Sequence, residues 1–246
     1  MTATNPTPTV AIIGSDGKMG QAVSTLAPER GWRVVSRIDA EHNAKGKGIT
    51  RETLGGADIA IEFTTPEAAV DNVRASVAAG CPIIVGTTGW YDKLPTLSEW
   101  VEQQNGAMLT APNFSLGVNV FEQVVERASE LLRGMPGFDV HLVETHHAAK
   151  KDAPSGTALK LAKAAAKKLG REVPTTSIRT GSVPGTHQLV FDAPFEQIRL
   201  EHEARDRRVF AEGALVAAAW LIGKRGVFTM RDVLGLVSPT SSARVP

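Results

Sequence analysis

The feature that most constrains the fold is an apolar run that stops at a glycine-rich turn and leads into a helix. The run Thr9–Ile13, TVAII, is continuous, apolar and mostly β-branched, as expected for a strand that is buried on both faces. It ends in GSDGKMG at 14–20, a G-x-x-G-x-x-G pattern, and helical periodicity follows over 18–28. A strand that passes through glycines into a helix is typical of the first unit of a dinucleotide-binding fold.

Strand-like and helix-like segments then alternate up to about residue 111. The predicted strands are 33–38, 58–63, 82–85 and 108–111, and the predicted helices are 67–79 and 91–104. Segment 41–49 is polar and contains glycine, so we expect a loop there. Alternation of strands and helices at this spacing predicts an α/β fold with a doubly wound parallel sheet.

The pattern changes near residue 115. After a predicted helix at 118–133, strand-like segments follow with one strong helix inserted early among them. The strands are predicted at 138–145, 187–192, 196–202 and 207–210, and the inserted helix at 157–169. This pattern indicates an α+β domain with a mixed or antiparallel sheet. A last helix at 213–223 and the tail 227–236 are expected to return to the first domain. The predicted organisation is a dinucleotide-binding domain of residues 1–114, completed by 208–246, and a second domain of residues 115–207.

Charge and composition restrict the kinds of partner. The 27 Lys and Arg residues nearly balance the 26 Asp and Glu residues, so no overall field would hold a nucleic acid. No stretch approaches the ~20 consecutive apolar residues of a membrane span, and the N-terminus is polar and rich in Pro and Thr. Cys81 is the only cysteine in the sequence, which excludes an internal disulfide and fits a reducing compartment. We therefore expect a cytoplasmic protein that binds neither nucleic acid nor a membrane.

The glycine run is suited to binding a pyrophosphate. Glycine permits a tight turn and a close approach of the phosphates, and the following helix directs N–H groups and the positive end of its dipole towards them. Asp39, after the second predicted strand, stands where such folds place an acid that binds the ribose hydroxyls. Taken alone, the glycine run is compatible with a turn that binds nothing, Asp39 with a solvated loop acid, and the GTTG segment at 86–89 with a plain turn. Together they favour a dinucleotide site.

The densest chemistry lies in the segment 144–158, ETHHAAKKDAPSGTA. His146, His147 and Lys150 place groups that titrate near neutrality beside a fixed cation. The alternative is a histidine pair at the end of a surface strand, with the neighbouring lysines in solvent. The cluster favours a proton-transfer site.

A helix start follows directly. Pro154 ends the extended segment, and Ser155 is a natural N-cap. The amides of Gly156 and Thr157 would then direct hydrogen-bond donors at an anion. Proton donor, cation and anion site therefore converge in one short segment.

This segment resembles the signature E-x-H-H-x-x-K-x-D-A-P-S-G-T-A of the 4-hydroxy-tetrahydrodipicolinate reductases, formerly called dihydrodipicolinate reductases. The likeness extends along nearly the whole chain. The further matching stretches are VAIIGSDGKMG near the start, EFTTPEA at 62–68, VGTTG at 85–89, APNFSLGVNV at 111–120, the glycine and histidine of GSVPGTH at 181–187, and MRDVLGL at 230–236. The resemblance implies transfer of a hydride from NADH or NADPH to the dehydrated form of 4-hydroxy-tetrahydrodipicolinate, a cyclic dicarboxylate, in bacterial lysine and diaminopimelate biosynthesis.

The resemblance also implies residue roles. His146 would be the proton donor and Lys150 a second catalytic cation, while His147, Gly156 and Thr157 would hold the substrate carboxylates. The residues that would line the cofactor are Gly14, Gly17, Lys18, Met19, Gly20, Asp39, Phe63, Thr64, Gly86, Thr87, Thr88, Ala111, Pro112, Asn113 and Phe114. No metal is implied. A homotetramer assembled through the sheet of the second domain is implied as well.

The sequence departs from the family pattern at two places. Ala40 occupies the position where some members carry an arginine for an NADP 2′-phosphate, and a carboxylate at Asp39 favours a free 2′-hydroxyl. We therefore expect NADH to serve at least as well as NADPH, with an opposing contribution from nearby basic residues. These residues are Lys18, Arg37, Lys45 and Lys47. Asp206 stands where serine is commoner, which changes the local hydrogen bonding.

Other classes of protein fit less well. Tyr91 is the single tyrosine and is followed by DKLP, so the Tyr-x-x-x-Lys pair of short-chain dehydrogenases is absent from the sequence. Cys81 stands at the start of a predicted strand, the wrong end of the sheet for a catalytic thiol. The histidines match no H-E-x-x-H metal motif. A non-catalytic nucleotide sensor would keep the glycine run but would not need the His/Lys cluster, and a redox assay separates the two.

Overall fold

The computed structural model describes residues 6–236. The chain forms two compact units, of which the first runs to Phe114 and resumes at Phe210, and the second spans Ser115–Val209. Each unit has its own cluster of buried apolar side chains. The ends of the predicted first domain, 1–5 and 237–246, lie outside the described residues.

The first unit is built on a parallel sheet. Its described strands are β1 (Thr9–Ile13), β2 (Arg33–Ile38), β3 (Ile59–Glu62), β4 (Ile83–Val85), β5 (Ala107–Thr110) and β10 (Gly226–Phe228), in the order β10-β5-β4-β3-β1-β2. Helices α1 (Lys18–Glu29), α2 (Pro66–Ala78) and α3 (Leu94–Gln103) connect successive strands, with short 3-10 turns at Ala44–Gly46 and Tyr91–Lys93. Within residues 6–236 all pairings of this sheet are parallel, which confirms the predicted doubly wound fold.

The continuous apolar runs explain why this sheet is buried. Every residue of β1, β3, β4 and β5 is buried, as expected when helices cover both faces of a parallel sheet. The segment after Leu221 adds strand β10, which pairs with β5 at the edge of this sheet. A short helix α7 (Met230–Val233) follows β10.

The second unit carries a mixed sheet, as predicted. Its described strands are β6 (Asp139–His146), β7 (Thr175–Arg179), β8 (Thr186–Ala193) and β9 (Glu196–Glu203), in the order β7-β6-β8-β9. Strands β6 and β7 are parallel, whereas β6 with β8 and β8 with β9 are antiparallel. Helices α4 (Leu116–Leu132) and α5 (Gly156–Leu169) pack on one face, where Val125 and Leu161 join the buried cluster of the sheet.

Two parts of the sequence prediction need correction. The segment 207–210 is not a strand but the start of helix α6 (Arg208–Leu221). The Asp206 carboxylate accepts the backbone N–H of Arg208 at 2.7 Å and so satisfies an amide at the start of the helix. Strand β7 is missed because its sequence, TTSIR, contains a single large apolar residue, Ile178, as is common for an edge strand. Among residues 6–236, no helix has the length and apolar character that crossing a membrane requires.

Candidate active site

Four loops meet at the carboxyl edge of the first sheet. Gly14, Phe63, Gly86 and Ala111 follow β1, β3, β4 and β5 directly, and these strands are neighbours in parallel register. The strand order reverses between β1 and β3, with β2 on the far side of β1. Open α/β sheets bind ligands at the carboxyl edge beside such a reversal. The residues predicted to line the cofactor thus come from loops at one edge.

The glycine loop after β1 is too tight for side chains at two positions. Gly14 has a φ of +82°, and a Cβ there would lie 2.1 Å from the carbonyl oxygen of Phe63. A Cβ on Gly20 would lie 2.1 Å from the carbonyl oxygen of Gly14. Gly17 is the N-cap of α1, and no side chain caps that helix end. The N–H groups of its first turn, at Lys18 and Met19, therefore have no acceptor within the helix, as at helix starts that bind anions.

The loop lies beside the acid after β2. The backbone N–H of Gly14 donates to the carbonyl of Ile38 at 2.7 Å, so the glycine loop is fixed next to Asp39. The Asp39 Oδ1 atom accepts the backbone N–H of His42 at 3.1 Å and contacts its ring Nδ1 at 3.0 Å. The backbone hydrogen bond from His42 lowers the pKa of Asp39, so the carboxylate is ionised at neutral pH.

The loops after β3, β4 and β5 are tied to one another. The ring of Phe63 meets the buried ring of Phe114 edge-on, with centroids 6.1 Å apart. The backbone N–H of Thr64 donates to Thr87 Oγ1 at 2.7 Å. The remaining predicted residues differ in exposure: Ala111 is buried, Asn113 is half-buried, and Thr88 and Pro112 are exposed.

In the second unit, a buried carboxylate holds the first histidine of the pair. Glu144 and His146 are two residues apart on β6, so they lie on the same face of the strand. The Glu144 side chain is 0% exposed. Its oxygens accept hydrogen bonds from His146 Nδ1, from Arg179 Nη2 at 2.7 Å and from the backbone N–H of Ser155 at 3.2 Å. Burial alone would raise the pKa of Glu144, but hydrogen bonds from Arg179 and His146 lower it to about 2. Glu144 is therefore an ionised carboxylate inside the protein.

This contact fixes the tautomer of His146. An ionised carboxylate can only accept hydrogen bonds, so the Nδ1 atom of His146 must carry a proton. Burial lowers the pKa of His146, and the hydrogen bond and charge of Glu144 oppose this effect in part. In the free protein at neutral pH, His146 is therefore mainly neutral, with its lone pair on Nε2. Lys150 lies four residues after His146 and is half-buried. Its Nζ atom pairs with Asp152 Oδ1 at 2.7 Å.

The start of helix α5 is built onto the same cluster. Ser155 is its N-cap, as predicted, and its Oγ accepts the backbone N–H of Ala158 at 3.1 Å. The same Oγ lies 3.2 Å from Nε2 of His187, whose ring meets that of His146 edge-on with centroids 5.3 Å apart. Gly156 and Thr157 form the first turn of α5, at the positive end of the helix dipole. His147 is half-buried, directly after β6.

Two family models match nearly the whole chain. Residues 8–114 match the model described as dihydrodipicolinate reductase, N-terminus, and residues 117–234 match dihydrodipicolinate reductase, C-terminus. The chain belongs to the dihydrodipicolinate reductase family. Two relatives, both named 4-hydroxy-tetrahydrodipicolinate reductase, agree with this. The one from Christiangramia forsetii is 34% identical and covers 92% of this chain and 97% of its own length. The one from Zymomonas mobilis subsp. mobilis is 37% identical with the same coverage.

A solved structure supports the fold. The dipicolinate-bound dihydrodipicolinate reductase from a Paenisporosarcina species superposes with a TM-score of 0.75 at 22% identity. The match covers 90% of this chain and 97% of that chain. At this level of identity, the likeness shows the fold of the reductase family.

Sequence reasoning missed three side chains of this reductase's histidine cluster. Glu144 belongs to the signature segment, and the alternation of a strand places it on the same face as His146. Arg179 lies opposite His146 in the parallel register of β6 and β7, so finding it required strand β7. His187 belongs to the GSVPGTH stretch, and its position beside Ser155 follows from the pairing of β8 with β6.

The glycine loop gives a first prediction. Gly14→Ala should lower the free energy of unfolding by about 1–3 kcal/mol, because a Cβ there requires an unfavourable φ and meets backbone. Gly17→Ala is the matched control, since Gly17 has a φ of −69° and its Cβ would have an ordinary contact of 3.4 Å. Urea unfolding followed by circular dichroism measures both variants. Equal stability of the two variants would contradict the strained geometry assigned to Gly14.

The cluster of the second unit gives a prediction about pH. Burial lowers the pKa of His187 to about 4, and its Nδ1 atom is buried without a hydrogen-bond partner among the described residues. Above pH 6.5 the ring is mainly neutral in both the folded and the unfolded state, so its burial does not lower the stability. As the pH falls from 6.5 to about 4, His187 takes up a proton in the unfolded chain but not in the folded protein, which favours unfolding. Wild-type protein should lose about 3 kcal/mol more stability over this range than His187→Gln. Urea unfolding at several pH values tests this, and parallel curves for the two proteins would refute it.

Proposed function

We propose that this chain is an NADH- or NADPH-dependent reductase that converts the dehydrated form of 4-hydroxy-tetrahydrodipicolinate into tetrahydrodipicolinate, in lysine and diaminopimelate biosynthesis. The observation that carries the proposal is that one family member combines a tight glycine loop after β1 with His146, which a buried carboxylate holds at the end of β6. The matches to the relatives named for this activity extend over 97% of the length of each relative. A nucleotide sensor would not need a buried, ionised Glu144 that holds His146.

The first unit would bind the nicotinamide cofactor, which supplies the hydride when bound. The first-turn amides of α1, after Gly17, would receive the pyrophosphate. Asp39 would accept hydrogen bonds from a ribose, and its ionised state suits that task. The paired rings of Phe63 and Phe114 would offer an apolar wall from which water is excluded.

The second unit would bind the substrate through its carboxylates. The amides of Gly156 and Thr157 stand at the positive end of α5, and His147 and Lys150 add donors and positive charge nearby. The solved Paenisporosarcina relative has dipicolinate bound, and dipicolinate is itself a ring with two carboxylates. A dicarboxylate site in this unit is consistent with that ligand.

His146 would donate the proton that the reduced ring needs. Its pKa is lowered by burial in the free protein, but a bound dicarboxylate would bring negative charge close to the ring and raise that pKa. His146 would then take up a proton on Nε2 as substrate binds. Glu144 stabilises the resulting imidazolium through Nδ1, and Arg179 keeps Glu144 ionised. Lys150 would stabilise developing negative charge.

Steady-state oxidation of NADH and NADPH with freshly generated 4-hydroxy-tetrahydrodipicolinate tests the proposed activity. We expect turnover with at least one cofactor. Folded protein that turned over neither cofactor would refute the reductase assignment. Binding of NADH without turnover would favour the sensor alternative.

The proposed roles predict a distinct response to substitution in the second unit. His146→Gln or Lys150→Met should lower kcat by on the order of 10²-fold or more with the Kd for NADH nearly unchanged, because these groups act on the substrate. Thr157→Val should mainly raise the substrate KM. His141→Gln is the control, since His141 is an exposed residue on the same strand. If His146→Gln kept a near-normal kcat and bound NADH poorly, the assignment of His146 to proton transfer would be wrong.

The acid after β2 predicts the choice of cofactor. Asp39 should repel a 2′-phosphate, so kcat/KM with NADH should be at least as high as with NADPH. Parallel kinetics with both cofactors measure this ratio. A preference for NADPH of more than about tenfold, or ~1.4 kcal/mol, would show that the nearby basic residues outweigh the repulsion by Asp39.

The second sheet would also form the contacts of a homotetramer. Strand β9 is largely exposed, and Ile198 on it and Phe195 before it are exposed apolar side chains. A covered β9 would bury these side chains and satisfy the open edge of the sheet. Sedimentation at micromolar concentration should give a tetramer, and a monomer there would contradict this proposal.

A further inference from the structure

A second buried glutamate lies under the loops of the first unit. Glu62 is the last residue of β3 and is 0% exposed. Its Oε1 atom accepts the hydroxyl of Thr64, the hydroxyl of Thr87 at 2.9 Å and the amide of Asn72 at 3.4 Å. Thr64 belongs to the loop after β3 and Thr87 to the loop after β4, so one oxygen atom joins two loops of the candidate cofactor site.

Glu62 determines the direction of the hydrogen bonds in these loops. Because Oε1 acts as an acceptor, both threonine hydroxyls must point their protons at it. Their lone pairs are then free to accept other donors. Thr87 Oγ1 accepts the backbone N–H of Thr64 at 2.7 Å, and Thr64 Oγ1 accepts Asn72 Nδ2 at 3.1 Å. Removing the acceptor would therefore release the hydroxyls that fix the backbone of the first loop relative to the second.

The network extends to a third loop. Asn72 Oδ1 accepts the side-chain amide of Asn43 at 2.8 Å, and Asn43 Oδ1 accepts the backbone N–H of Gly48 at 3.2 Å. Asn43 and Gly48 belong to the segment after β2, which begins just beyond Asp39. The hydrogen bonds thus connect the carboxyl ends of β2, β3 and β4.

We propose that Glu62 is a positioning residue for the dinucleotide, which acts through Thr64 and Thr87 by holding the loops after β3 and β4 at the separation that the cofactor requires. Glu62 does not contact the ligand in this account. The inference rests on the proposed function, because it presumes that these loops bind a nicotinamide cofactor.

The surroundings of Glu62 favour the neutral acid. Its hydrogen-bond partners at Oε1 are uncharged, and Oε2 is buried without a partner among the described residues. Burial raises the pKa of Glu62, while the hydrogen bonds from the two threonines oppose the shift. Glutamine keeps a carbonyl acceptor without a charge, so Glu62→Gln is the conservative variant, and Glu62→Ala removes the acceptor.

Cofactor affinity and catalysis respond differently if Glu62 positions the loops. Glu62→Ala should raise the Kd for NADH about tenfold or more, equivalent to ~1.4 kcal/mol. Its substrate KM and its kcat at saturating NADH should stay within about twofold of wild type, since the substrate contacts lie in the other unit. Glu62→Gln should recover most of the lost affinity. Isothermal titration with NADH and steady-state kinetics measure these quantities.

Ser76→Ala is the matched control for lost stability. Ser76 lies on α2, is 0% exposed, and donates to the carbonyl of Cys81 at 3.1 Å, away from both loops. The variant should lower the melting temperature without changing the Kd for NADH. The inference is overturned if folded Glu62→Ala binds NADH within about twofold of wild type, or if Ser76→Ala loses affinity to the same extent.

Thr87→Val supplies a second test if Glu62→Ala does not fold. It removes the hydroxyl that links Thr64 to Glu62 while keeping the shape of the side chain, so it should also raise the Kd for NADH with little effect on the substrate KM. Unchanged affinity in this variant would overturn the inference. If wild-type protein bound NADH and turned over but these variants matched it, the inference alone would fail. If wild-type protein bound neither NADH nor NADPH, the proposed function would fail with it.

Discussion

The chemistry of the second unit depends on one buried ion. Glu144 lies inside the protein as a carboxylate, and its pKa of about 2 reflects the guanidinium of Arg179 and the ring of His146. Because it accepts the backbone N–H of Ser155 as well, it also anchors the residue that caps α5. One carboxylate thereby fixes the tautomer of His146 and the start of the helix that would face the substrate. Loss of Glu144 would leave the half-buried guanidinium of Arg179 without this carboxylate partner, which is costly.

The two buried glutamates illustrate how surroundings decide the state of the same side chain. Glu144 has a guanidinium within hydrogen-bond distance and is ionised. Glu62 accepts hydrogen bonds from hydroxyl and amide groups alone, and burial raises its pKa. An ionised acid can stabilise a positive histidine, whereas a buried carboxyl group with uncharged partners can order neighbouring hydroxyls.

Much of the fold could be predicted from the sequence, because parallel strands that are buried on both faces appear as continuous apolar runs. The run at Thr9–Ile13 has the predicted bounds, the helix-start pattern predicts the N-cap Ser155, and the family signature points to His146. Strand β7 lacked such a run, and the start of α6 was mistaken for a strand since a short apolar segment does not distinguish the two. Arg179 could not be predicted, because its contact with Glu144 depends on pairing between strands that are distant in sequence.

The pH dependence of turnover tests the central claim most directly, namely that His146, held by Glu144, donates the proton. Activity should fall as the pH rises, because the donor must be protonated. The pKa seen in kcat/KM reports the free protein and should lie below 6.5, and the pKa seen in kcat should be higher, since bound dicarboxylate favours the imidazolium. His146→Gln should remove this limb from both profiles. Profiles for His146→Gln with the same limb as wild type would contradict the account.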